Sequence, residues 1–176
     1  MAPQLTDDVV VLVMMSIDDA AALVAGEDDD IVDRLSAGPS TLATAERRIR
    51  TCAADWHGDW FRPGAKLTWG IRDAATDVLA GTAEVQLRNP ELAAGAANLS
   101  YSVFPCWRGH RYGARAVGLM CDFLASETGT TLAVLRIDPD NTPSLRVAED
   151  SGFRRSPELA APGASMLWCS RALPRR

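Results

Sequence analysis

Apolar and polar positions along this chain repeat with two periods, and the switch between them marks the elements. Residues 9–15 are a β-branched apolar run, which predicts a buried first strand. Ser16 followed by Asp19 has the form of a capping box, opening a predicted helix over 17–25 that Gly26 ends. Leu42, Ala45, Ile49, Cys52 and Trp56 recur at helical spacing, with Glu46, Arg47, Arg48 and Arg50 elsewhere on that helix. Leu67, Trp69 and Ile71 then alternate with polar or small residues, as strands do. A turn at 73–77 leads to a strand over 78–87, with Ala83, Val85 and Leu87 on one face and Thr82, Glu84 and Gln86 on the other. A strand over 98–104 alternates at Leu99, Tyr101 and Val103, which places Tyr101 in the core. Helical spacing returns at Val117, Met120, Cys121 and Leu124. Residues 132–137 are nearly continuously apolar, the pattern of a strand covered on both faces. A helix over 142–151 stops at Gly152, and two strands over 153–156 and 166–170 close the chain.

Three antiparallel strands feeding a crossover helix and then a parallel strand imply a mixed sheet of the α/β (α+β) class. The 176 residues suffice for one domain spanning 1–176 with a proper core. Net charge is −5, which disfavours broad nucleic-acid binding and suits a cationic partner. Cys52, Cys106, Cys121 and Cys169 show no Cys-x-x-Cys spacing and read as free thiols of a reducing cytosol. No signal-peptide pattern or membrane-length apolar run is present, so a cytoplasmic protein without a membrane partner is expected.

The acidic run Glu27, Asp28, Asp29, Asp30 reads as a solvated loop, with attraction of an amine as its functional alternative. Trp56, Trp60 and Phe61 are expected to pack against the sheet edge rather than wall a pocket. Asp55, His57 and Asp59 have no ligand-rich partner nearby, and no metal site is expected.

The densest chemistry lies between the strand at 98–104 and the helix after it. Arg108, Gly109, His110, Arg111, Tyr112, Gly113 and Ala114 form a short loop and helix start, with Arg115 one residue on. Cations there oppose the helix macrodipole unless an anion sits among them. A glycine-bearing loop, free N–H groups and arginines together make a phosphate cradle; a solvated basic turn uses the same residues.

This segment and the later one, Asn141 to Phe153, together resemble the GNAT superfamily, which transfers acetyl groups from acetyl-coenzyme A to amines. The family's pyrophosphate loop, Arg/Gln-x-x-Gly-x-Gly/Ala, matches Arg108 to Gly113, with Arg111 in place of the central glycine. Its second half, Asn-x-x-Ser/Ala followed by Gly-Phe, matches Asn141, Ser144, Gly152 and Phe153. Trp107, Arg108 and Gly109, with Asn141 to Ser144, are similar to the branch containing the ribosomal-protein alanine N-acetyltransferases. The resemblance implies a GNAT fold in which the fourth and fifth strands splay in a V around the pantetheine arm. It implies that backbone near Ser102 and Val103 bonds that arm, that Arg108 to Ala114 hold the pyrophosphate, and that Asn141 faces the arm.

Acetyl transfer requires a neutral amine, stabilisation of the thioester oxygen, and a proton for the leaving thiolate. In the ribosomal-protein branch a hydroxyl at the Ser144 position stands near the sulfur. The tyrosine many relatives carry four residues later is Ala148 here, and the acidic residue often opening the fourth strand is Asn98. The resemblance then implies either Ser144 as the acid or no acid at all, and leaves Glu84 as the best remaining candidate base, through a water chain, with an exposed strand residue as its alternative. The expected function is N-acetylation of a primary amine, either a peptide N-terminus or a small molecule, by direct attack. A GNAT-fold protein that binds acyl-coenzyme A without turnover is the alternative, and a homodimer is left open.

Overall fold

Eight strands form a single sheet in the order β1-β2-β3-β4-β5-β6-β8-β7. They are β1 (Leu5–Thr6), β2 (Val10–Val13), β3 (Leu67–Asp73), β4 (Leu79–Gln86), β5 (Ala96–Val103), β6 (Leu132–Ile137), β7 (Arg154–Arg155) and β8 (Leu167–Ala172). The computed structural model describes residues 2–35 and 38–174. Every neighbouring pair is antiparallel except β5 and β6, whose parallel pairing follows from the crossover helix between them. The mixed, mostly antiparallel sheet is the one expected.

Five α-helices cover its faces: α1 (Ala20–Gly26), α2 (Asp29–Leu35), α3 (Leu42–His57), α4 (Tyr112–Phe123) and α5 (Thr142–Asp150). Helix α3 starts one residue after Thr41, whose hydroxyl accepts from the Thr44 N–H, a side-chain N-cap. Helix α4 runs on through a wide π turn, Leu124–Thr128, and ends in left-handed Gly129. The core has two parts. Val85, Leu99, Val117, Met120 and Phe123 pack between the sheet and α4, while Leu23, Ile31, Ile49, Leu79 and Phe104 pack under α1, α2 and α3. Trp56, Trp60, Trp69 and Phe123 pack together in the first part, mostly edge-to-face, with centroids 4.7–6.2 Å apart, so Trp56 and Trp60 are packing residues, whereas Phe61 is exposed.

Two elements depart from expectation. The acidic run is not a free loop: Asp29 and Asp30 open α2, and Asp28 caps it by accepting from the Ile31 N–H at 3.0 Å. Carboxylates at a helix start are favoured by the macrodipole, which outweighs their mutual repulsion. Residues 5 and 6 form a short edge strand that residue pattern did not signal.

Close approach of β4 to β5 explains Gly81. A Cβ there would lie 2.0 Å from the Ser102 carbonyl oxygen, which is backbone and has no room to yield. Gly81→Ala is expected to destabilise the protein by about 3 kcal/mol, the upper range for overpacking. Urea denaturation would show this as a lowered midpoint, and an unchanged midpoint would contradict the packing described.

Candidate active site

The site starts where two strands part. Pairing of β5 with β6 extends only from Ala96↔Leu132 to Leu99↔Leu135, while β5 continues to Val103. The Phe104 N–H donates to the Ala80 carbonyl at 2.8 Å, and the Leu132 N–H to the Gly95 carbonyl at 3.3 Å. Strand alternation then turns the backbone of Ser100 and Ser102 toward β4, and that of Tyr101 and Val103 toward the open edge. Of the two residues expected to bond a pantetheine arm, Val103 faces the gap and Ser102 faces β4. The Ser102 hydroxyl is instead 3.0 Å from that of Thr82, in a buried pair.

At the mouth of the gap the chain turns into α4. Gly109 has φ 82° and Arg111 φ 64°, so Arg111 adopts the left-handed conformation that the family's glycine would take without strain. The N–H groups of Gly109, His110, Arg111, Tyr112, Gly113 and Ala114 find no protein acceptor among the described residues. This row of donors at a helix start has a geometry that suits an anion.

The side-chain cations of this loop are arranged differently from the expected cluster. Arg108 donates to both oxygens of Asp28, at 2.7 and 3.0 Å, and through Nε to the Val103 carbonyl at 3.1 Å. Arg115 pairs with Asp7 at 2.7 Å. Arg111 is exposed and stands 3.7 Å from Asp150. His110 is exposed, with its ring edge-on to Tyr112. Tyr112 is buried, stacks on Trp107 at 5.3 Å and donates its hydroxyl to Asp73. The acidic run therefore serves this loop: Asp28 holds Arg108, and through it the end of β5.

The Arg108 guanidinium keeps the Asp28 carboxyl below its ordinary value of 3.8. A depressed native pKa stabilises the fold above the unfolded value, and that contribution is lost as pH falls through the native one. The melting temperature is thus expected to drop between about pH 5 and about pH 3, with a shallower drop in Asp28→Asn. Equal slopes in calorimetric scans of the two proteins would show that this pair does not contribute.

Behind the gap, the rows Thr68, Glu84, Ser100 and Thr82, Ser102 form a polar floor on the α3 side of β3, β4 and β5. Glu84 accepts from Thr68 at 3.3 Å and Ser100 at 3.5 Å, and pairs with Lys66 at 3.2 Å. Between this floor and α3 lies a cavity of about 460 Å³, bordered by Glu84, Ser100, Tyr101, Lys66, Arg47 and Arg48 among others. Asn98 is buried, and its amide oxygen accepts from Arg136 at 3.1 Å.

Tyr101 shares a face with Leu99, as alternation required, yet it is only half-buried and its hydroxyl is not in the core. It donates to the Ser144 hydroxyl at 3.2 Å across the gap. Its ring lies on Gly113, where a Cβ would meet it at 2.8 Å. Burial pushes the phenol pKa up to about 12, so it remains a donor. Ser144 sits in the first turn of α5, and its N–H donates to the Asn141 side chain at 3.1 Å. Asn141 is thus the helix N-cap. The site residue that alternation concealed is Tyr101; Arg47 and Arg48 were legible as a polar helix face but not as a cavity wall.

An open strand edge beside a row of free N–H groups, with the Tyr101–Ser144 hydroxyl pair spanning the gap, can seat an extended anionic cofactor of the kind acyl-group transferases use. The acetyltransferase (GNAT) domain model matches residues 10–154, and the chain belongs to that family. Among solved structures, a protein described as a ribosomal-protein-serine acetyltransferase from Vibrio cholerae superposes with TM-score 0.78 at 18% identity, covering 98% of this chain and 99% of the other. A GNAT-family acetyltransferase from Bordetella pertussis gives 0.72 at 25% identity, covering 97% and 100%. The aminoglycoside acetyltransferase AAC(6')-Ib, solved with coenzyme A, gives 0.73 at 16% identity, covering 93% and 94%. No curated protein matches the sequence significantly. Among the described residues no helix is long and apolar enough to cross a membrane, and no group of His, Cys, Asp and Glu is placed to hold a metal.

Proposed function

We propose that this GNAT-family acyltransferase moves an acetyl group from acetyl-coenzyme A to a primary amine by direct attack. The observation that carries this reading is the continuity of the Val103 edge with the free N–H groups of Gly109 to Ala114. A pyrophosphate held by those N–H groups leaves an extended arm running along the open edge of β5. AAC(6')-Ib, a neighbouring fold, was solved with coenzyme A, the product of such a transfer, which suits the same path.

The residues then divide the work. Arg108 fixes the end of β5 through the Val103 carbonyl, and the exposed Arg111 and His110 stand beside the phosphates. The Val103 N–H faces the gap, where it stabilises negative charge developing on a thioester oxygen. Glu84 takes the proton that the substrate ammonium must shed before its free amine attacks, directly or through water in the cavity. Ser144 gives a proton to the departing thiolate and is replenished from Tyr101; the second proton of the acylated nitrogen, shed as the tetrahedral intermediate collapses, passes through water and restores the phenol. Attack by the amine itself forms no covalent acetyl-enzyme.

Titration calorimetry with acetyl-coenzyme A and dephospho-coenzyme A, followed by a turnover screen of amines, tests the reading. Saturable binding with acetylation of at least one amine is expected. Absence of coenzyme binding would overturn it.

A further inference from the structure

The cavity beside Glu84 has a charge balance that an amine-binding pocket does not need. Three cations border it, Arg47, Arg48 and Lys66, against one carboxylate, Glu84. Lys66 and Glu84 pair at 3.2 Å and offset each other. The two arginines are left over. Among the described residues neither has a carboxylate within 4.0 Å, although Arg50 on the same helix pairs with Glu46 at 3.0 Å. Arg48 is half-buried, where an unmatched guanidinium loses hydration without gaining a partner. Two members of the acidic run are paired away from this cavity, Asp28 with Arg108 and Asp30 with Arg34, while Glu27 accepts from Ser40 at the cavity's border.

From this arrangement we infer that the acceptor is a small amine carrying a carboxylate or phosphate, with its anion against Arg47 and Arg48 and its amino group toward Glu84. The inference rests on the acetyl-transfer reading above and names its substrate class. Arginine's planar fork suits both anions, because each offers two oxygens for paired N–H donors. The cavity, about 460 Å³, is of a size that encloses a small molecule. A polyamine or aminoglycoside would set further ammonium groups beside two unmatched guanidiniums, and like charges at contact distance oppose binding.

The test uses the full chain with coenzyme A bound and matched pairs of amines. An α-amino acid is compared with its amide, an aminoalkyl phosphate with the corresponding amino alcohol, and spermidine serves as polycation. Calorimetry reads binding of each amine, and steady-state kinetics with acetyl-coenzyme A reads kcat and KM. The anionic member of at least one pair is expected to bind about tenfold or more tightly than its neutral partner, the return on a charge-assisted contact. The carboxylate and phosphate pairs show which anion is preferred. In Arg47→Gln/Arg48→Gln this advantage should vanish through KM, while the neutral partner's kcat/KM stays within about twofold. Arg48→Lys should restore part of it, which a folding defect would not. Equal binding of both members, preference for spermidine, or an advantage that survives the double substitution would overturn the inference. Binding is measured independently of turnover. A protein that binds anionic amines without acetylating them would therefore defeat the catalytic reading and leave only the anion-binding role of Arg47 and Arg48 standing.

Discussion

Glu84→Gln is expected to slow amine acetylation by about 10²- to 10⁴-fold, the range for a general base. Thr68 and Ser100 donate to different Glu84 oxygens, 3.3 and 3.5 Å away; glutamine has the same size, keeps one acceptor and offers its NH2 to the other hydroxyl's oxygen, so the cavity should keep its shape. What it lacks is a lone pair basic enough to remove a proton from an ammonium group. The defect should therefore depend on pH. At neutral pH nearly all of a primary amine is protonated and the base matters most. As pH approaches the amine's own pKa, near 10, free amine becomes abundant and the two enzymes should converge. Coenzyme affinity should not change, because Glu84 faces the α3 side of the sheet and the N–H row lies at the start of α4. Lys66→Met serves as the control for the broken ion pair: it removes the Glu84 partner while leaving the carboxylate. Parallel pH–rate profiles for wild type and Glu84→Gln would remove Glu84 as the base.

The same two strands show what residue order reveals and what it hides. Alternation along β4 and β5 correctly sorted Thr82, Glu84 and Ser102 from Ala83, Leu99 and Tyr101, because a strand's two faces follow from its period. It also made Tyr101 a core residue. That inference holds only while β5 has neighbours on both sides. The loss of β6 after Leu99 exposes one edge, and a hydroxyl 43 positions away in sequence becomes the nearest partner. No local pattern encodes where two strands part.

The loop from Arg108 to Gly113 shows a different gap. Its role as a turn into a helix was legible from glycine spacing, whereas the left-handed backbone at Arg111 was signalled only by the family glycine it replaces. The partners of its cations were not, since Asp28 and Asp7 lie 80 and 108 residues away. Charge in a sequence marks an electrostatic need without naming what meets it. Helix α2 is the reverse case, for its signals were local: an Asp28 cap, acidic residues in the first turn, and the pair Asp30–Arg34 one turn apart. Reading the acidic run as one solvated block concealed them.

Ser144→Ala is expected to lower kcat by about 10²-fold, and Tyr101→Phe by about tenfold, with coenzyme binding retained in both. The two effects should not multiply. If Tyr101 acts only by supplying the Ser144 hydroxyl, 3.2 Å away, its loss is silent once that hydroxyl is gone, so the double variant should match Ser144→Ala. Phenylalanine keeps the ring that lies on Gly113, which separates the lost hydroxyl from lost packing. A donor that leaves without a proton supplies the second readout. With an acetyl thioester of a more acidic thiol, departure needs little protonation, and the variants should recover most of the wild-type rate. Burial holds Tyr101 near pKa 12, so this relay should show no titration of its own below that range. Full activity in Ser144→Ala would mean that the thiolate leaves unassisted. Losses that multiply in the double variant would mean that Tyr101 reaches the leaving group independently of Ser144.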